Sequence, residues 1–142
     1  MAAMPLIVTR RAILLGTAAA VVTTRAKATP AAHREFIAAA FRMRDDAVHA
    51  GDQPYGAVLV KGGRIIGFGP SRVVLKKDAT AHAEREAIRE AQARLGSHDL
   101  TGCLLYSTSR PCGMCEAAAA QANIARMIHG PDATDAGPPR RL

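Results

Sequence analysis

Ala81-His82-Ala83-Glu84 and, downstream, Pro111-Cys112-Gly113-Met114-Cys115 are the two stretches whose joint reading decides the fold. One imidazole and two thiols supply three ligands for a zinc ion that keeps a fourth position for water, and a non-ligand carboxylate is at hand to move protons. His82, Cys112 and Cys115 are therefore the candidate metal ligands and Glu84 the candidate acid/base. Each half alone also has an ordinary reading. His82 can be a helix-start histidine and Glu84 an acid that complements the helix dipole. Cys-x-x-Cys after a strand can be a redox pair, but residues 116–142 are a short stretch for the later strands of a thioredoxin-like domain. A structural zinc site would show a fourth Cys or His at ligand spacing. The spare thiol, Cys103, lies inside an apolar strand pattern, and His33, His49, His98 and His129 fall outside the paired motifs.

The elements around these stretches alternate helix and strand. Phe36, Ile37, Ala40, Phe41, Met43, Ala47 and Val48 recur at nearly helical spacing, which predicts an amphipathic helix from Pro30 to His49, stopped by Gly51. Ala57-Val58-Leu59-Val60 and Ile65-Ile66-Gly67-Phe68-Gly69 are β-prone runs joined through Gly62-Gly63, which reads as a hairpin. A second helix is expected from about Ala81 to Leu95, with Thr80 as its N-cap and Gly96 as its stop. Cys103–Ser107 reads as a third strand, Cys112–Ala122 as a third helix of small residues, and Ala125–His129 as a fourth strand. Cys112 and Cys115, three apart on an opening turn, share a face, and the positive helix end favours their thiolates. The expectation is an α/β fold in three layers, α/β/α, with a mixed sheet of about four strands and the two metal-bearing helix starts meeting at one end. Residues 131–142, rich in Gly, Pro and charge, read as a mobile tail, so the domain spans 29–130 and is C-terminally short.

Composition bounds the rest. The chain has 142 residues, 49% of them hydrophobic, with 12 Gly and no Trp, which allows one domain with an aliphatic, alanine-rich core. Residues 1–28 read as a cleaved signal peptide: Arg10-Arg11, an apolar run from Ala12 to Val22 that is too short to span a bilayer, and Ala26-Lys27-Ala28 for a peptidase. Thr9-Arg10-Arg11-Ala12-Ile13-Leu14-Leu15 resembles a twin-arginine export signal, with Ile13 where Phe is usual and Leu15 where Lys is usual. The expected location is periplasmic or otherwise exported, without a stable membrane anchor. Zinc loaded before export would hold Cys112 and Cys115 as thiolates. The formal charge of +7 loses Arg10, Arg11, Arg25 and Lys27 with the leader. The small basic excess that remains, alternating in sign, does not point to a nucleic-acid partner.

Pro54-Tyr55-Gly56-Ala57-Val58, Asp78-Ala79-Thr80-Ala81-His82-Ala83-Glu84, Arg89-Glu90-Ala91 and Pro111-Cys112-Gly113-Met114-Cys115 together resemble the cytidine and deoxycytidylate deaminase superfamily, nearest its guanine deaminase and tRNA adenosine deaminase branch. The resemblance runs from about Phe36 to Gly130. It implies that His82, Cys112 and Cys115 bind Zn²⁺ and that Glu84 is the proton shuttle. It further implies that the backbone around Ala57 helps to hold the base, and that Ser71 stands where that branch usually has a base-binding Asn. Arg110 stands where Glu is common, and Ala119-Ala120-Gln121 lacks a Tyr-Trp pair often found there. The implied activity is hydrolytic deamination of a small nucleobase or nucleoside by a homodimer, with ammonia released from water activated at zinc. A non-catalytic zinc-binding module and a tRNA adenosine deaminase are the alternatives.

Overall fold

The computed structural model describes residues 27–141. The leader expected over residues 1–28 lies almost entirely outside the described residues. Among these residues no helix is long and apolar enough to cross a membrane.

Helix α1 (Pro30–His49) opens on Thr29, whose Oγ1 accepts the Ala32 N–H at 3.2 Å, with Pro30 in the first turn. Strand β1 (Gly56–Lys61) and strand β2 (Arg64–Pro70) form the expected hairpin; Gly62 and Gly63 take φ of 57° and 77°, the left-handed region that tight turns require. Helix α2 (Ala83–Leu95) is followed by strand β3 (Leu104–Ser107), helix α3 (Gly113–Gln121) and strand β4 (Arg126–His129). The sheet order is β2-β1-β3-β4-β5, where strand β5 (Thr134–Gly137) lies in the segment read from sequence as a mobile tail. β3 and β4 run parallel, with α3 as the crossover, and the other neighbours are antiparallel.

The mixed sheet of about four strands is thus present with one short edge strand more, formed by Thr134–Gly137. Thr-Asp-Ala-Gly has little β propensity, so no sequence pattern announces it. It is held instead by pairing to β4 and by Asp135, which receives the Arg126 guanidinium at 2.8 Å.

Helices cover both faces of the sheet. Val58, Val60, Tyr106 and Ile128 meet Phe36 and Ile37 of α1, while Ala57, Leu59, Leu105 and Met127 meet Ala83, Ala87, Ala91 and Ala119 of α2 and α3. The period of two along β1 sends alternate residues to opposite cores, which is why Gly56–Val60 is buried without interruption. The three layers of the expected architecture are present. Backbones approach closely where small residues face each other. A Cβ on Gly56 would stand 2.1 Å from the Ala40 carbonyl oxygen, one on Gly67 2.1 Å from that of Ala87, and one on Gly69 2.0 Å from that of Ala83. The alanine-rich helices and glycine-bearing strands thus set the height of α2 above the sheet.

Candidate active site and metal centre

At one end of the sheet the openings of α2 and α3 converge. α2 starts two residues later than expected. Its N-cap is His82, and Thr80 instead donates its backbone N–H and its hydroxyl to Asp78 Oδ1 at 2.8 and 2.7 Å. Cys112 is likewise the N-cap of α3. Neither side chain caps its own helix. Both are aimed at a common point, so the position usually given to Ser, Thr, Asp or Asn has gone to a ligand.

The donor atoms fit a zinc ion. His82 Nδ1 lies 3.7 Å from Cys112 Sγ and 3.5 Å from Cys115 Sγ, and all three donors lie within 4.8 Å of one another. A tetrahedral centre with ordinary Zn–S and Zn–N lengths places sulfur and nitrogen about 3.6 Å apart. His82, Cys112 and Cys115 could therefore hold a zinc ion, and they are the one cluster of this kind among the described residues. Glu84 lies beside it, with Oε2 3.6 Å from Cys115 Sγ. Burial raises the Glu84 pKa. Burial, followed by the nearby Glu84 and Cys112, also raises that of Cys115. Acidic groups crowded this closely out of water are a donor set suited to a divalent cation.

A cavity of about 330 Å³ opens beside this cluster, lined by Gln53, Tyr55, Ser71, His82, Ala83, Glu84, Ser109, Arg110 and Cys112. Backbone hydrogen bonds tie its loops together: Ser71 N–H to Tyr55 O at 3.0 Å, and Thr108 N–H to Gly56 O at 3.0 Å. Ser107 Oγ donates to Ser109 O at 2.7 Å and shapes the turn that carries Arg110. Behind the cavity, buried Glu86 receives Lys76 and Arg89 at 2.7 Å and Arg72 at 3.3 Å, which pins the 71–78 loop to α2.

The structure brings His82, Cys112, Cys115, Glu84 and Ser71 to one place. Ala57 is not a lining residue: its side chain is buried in the core between β1 and the helices, and its backbone pairs with Gly69 and Ser107. The cavity wall from that part of the chain comes from Gln53 and Tyr55, just before the strand. Gln53 and Ser109 were not singled out from sequence. The available signal was their place in breaker-rich loops at the sheet end that also bears the paired motifs.

Residues 30–130 match the family described as "Cytidine and deoxycytidylate deaminase zinc-binding region". The chain is 40% identical over 105 residues to the guanine deaminase of Bacillus subtilis (strain 168), covering 73% of this chain and 67% of that protein. It is 43% identical over 93 residues to the tRNA-specific adenosine deaminase of Aquifex aeolicus (strain VF5), covering 66% and 62%. The solved structure of the guanine deaminase from Bacillus subtilis superposes with a TM-score of 0.67 at 39% identity, over 69% of this chain and 63% of the other. The chain spans about two thirds of the length of these relatives.

Proposed function

Because the chain belongs to the cytidine and deoxycytidylate deaminase zinc-binding family, we propose that it is a hydrolytic deaminase of a small nucleobase or nucleoside of the guanine, adenine or cytosine class. The observation that carries this reading is the convergence of three zinc-ligand atoms and the buried Glu84 carboxylate on one wall of a cavity. Bound zinc supplies the Lewis acidity that makes water a nucleophile near neutral pH. Glu84 takes the proton released as water adds to the amine-bearing ring carbon. It passes that proton to the ring nitrogen, then takes the proton of the newly added hydroxyl and gives it to the departing amine, so that a C–O bond forms, a C–N bond breaks and ammonia leaves. The position of Glu84 suits it to this work, because its carboxylate lies 3.6 Å from Cys115 Sγ and lines the cavity that would hold the base. Tyr55 offers an aromatic face to a planar ring, and Gln53 and Arg110 offer N–H donors to its edge.

Ammonia release from guanine, adenine, cytosine and their nucleosides by the zinc-loaded protein tests the reading. Glu84→Gln is expected to keep zinc and lose about 10² to 10⁴ in rate. Undiminished turnover in that variant refutes the role. Identity to tRNA-specific adenosine deaminases favours a second reading, with a tRNA base as substrate; a tRNA arm in the same panel separates the two.

Export is part of the proposal and rests on Arg10-Arg11, the apolar run Ala12–Val22 and Ala26-Lys27-Ala28. A homodimer is proposed with it, in line with the resemblance.

A further inference from the structure

Asp52 lies between α1 and β1, outside the residues that the chemistry uses, and its buried carboxylate is fully engaged. Oδ1 accepts the Gln53 N–H at 2.8 Å and the Ser71 hydroxyl at 3.0 Å; Oδ2 accepts the Val74 and Leu75 N–H groups at 3.0 and 2.9 Å. Burial works against the charged form, yet these four donors outweigh it and hold the Asp52 pKa below the usual range. Asp52 is thus ionised near neutral pH and can only accept. A serine hydroxyl has one hydrogen, and that of Ser71 is committed to Asp52 in a charge-assisted bond. Ser71 lines the cavity, and with its hydrogen so committed its Oγ has only lone pairs to offer there.

We propose that Asp52 is a positioning residue that fixes Ser71 as a hydrogen-bond acceptor, so that the cavity selects a base placing an N–H or NH₂ group, and not a ring-nitrogen lone pair, against Ser71. The inference rests on the deaminase reading, since the cavity must hold the base. It assigns a polarity to one wall that the serine alone would leave open, because an unconstrained hydroxyl serves either partner. Exchange of Asp52 for Asn reverses the logic. Two backbone N–H groups on the Val74–Leu75 side outweigh the one from Gln53 and keep the amide oxygen there, which turns the amide NH₂ toward Ser71, leaves the Gln53 N–H without its acceptor and frees the hydroxyl hydrogen for the cavity.

The test compares zinc-loaded wild type, Ser71→Ala and Asp52→Asn. Guanine deamination is measured with inhibition by two groups of analogues. Hypoxanthine, 1-methylguanine and 9-methylguanine each lack one donor; 3-deazaguanine and 7-deazaguanine each lack one ring acceptor. In the wild type, one donor-lacking analogue should bind on the order of tenfold more weakly than guanine. That deficit should vanish in Ser71→Ala, with KM for guanine raised and kcat within about twofold, since the lost bond is made equally to substrate and transition state. Asp52→Asn should lose the same preference while binding zinc normally, a selective change that mere loosening of the loop would not produce. If the deficit relieved in Ser71→Ala belongs to an acceptor-lacking analogue, or if none is relieved while guanine is still deaminated, the proposal is overturned and the deaminase reading stands. If no base is converted and no analogue binds, both fall.

Discussion

Gly69→Ala is the substitution through which the fold most directly tests the site. A methyl at Gly69 would stand 2.0 Å from the Ala83 carbonyl oxygen, 2.7 Å from Ala87 N and 2.9 Å from Ala87 Cβ, where 3.0 Å is already closer than real Cβ atoms come. Two of these three neighbours are helix backbone, which no rotamer change can move aside. The first turn of α2 must retreat by about 1 Å, and overpacking of this kind costs about 1–3 kcal/mol. The larger effect is expected at the metal. His82 immediately precedes Ala83, and its Nδ1 must stay in register with two sulfurs 3.5 and 3.7 Å away. Metal–ligand distances tolerate only about 0.2 Å, so zinc affinity should fall by at least about 100-fold. Competition with a chromophoric zinc chelator reads the affinity, and urea unfolding reads the stability. Gly113→Ala is the control: Gly113 lies between the two cysteine ligands, yet a Cβ there meets nothing within 4 Å. That variant should keep its zinc and change stability by less than about 1 kcal/mol. Wild-type zinc affinity in Gly69→Ala would refute the claim that α2–β2 contact sets the position of His82.

Three further outcomes are expected. Burial opposes ionisation of Glu86, but Lys76 and Arg89 more than offset it and hold its pKa below the usual 4.5. Its contribution to stability is therefore complete above that value and is lost as pH falls through the lower folded pKa. Glu86→Gln should cost about 1–2 kcal/mol near neutral pH, allowing for solvent around the half-exposed cations, and should flatten the acid limb of the stability–pH curve; an unchanged limb argues against the assignment. Stripping zinc with a strong chelator should lower the thermal midpoint and raise hydrogen exchange in the first turns of α2 and α3 before the sheet opens, and uniform exchange would contradict a local role. N-terminal sequencing of exported protein should find a start near Thr29, and a start at Met1 would rule out cleavage.

The paired motifs were legible because their chemistry is local: few arrangements place an imidazole, a carboxylate and two thiols at helix openings. α1 and the Gly62-Gly63 hairpin were legible from apolar spacing and turn chemistry. The α2 boundary was not, because His82 holds the N-cap position without performing that job and the better capping residue, Thr80, bonds to Asp78 instead. β5 was missed because its pairing comes from β4 and the Arg126–Asp135 contact. The motif Pro54-Tyr55-Gly56-Ala57-Val58 points to this part of the chain, but only the folded loop shows that Gln53 and Tyr55 line the cavity. The link between Asp52 and Ser71 spans a whole hairpin, and no spacing rule foretells which serine a loop aspartate will hold.

The two unassisted helix starts have a mechanical consequence. His82 and Cys112 belong to segments that the sheet joins only indirectly, through β2, β1 and β3. An ion gripped by both therefore acts as a clasp, closing a long loop as a disulfide would and keeping the ends of α2 and α3 from fraying. Holding the ion and fastening this end of the protein become one event, so a chain without it also loses part of its resistance to proteolysis.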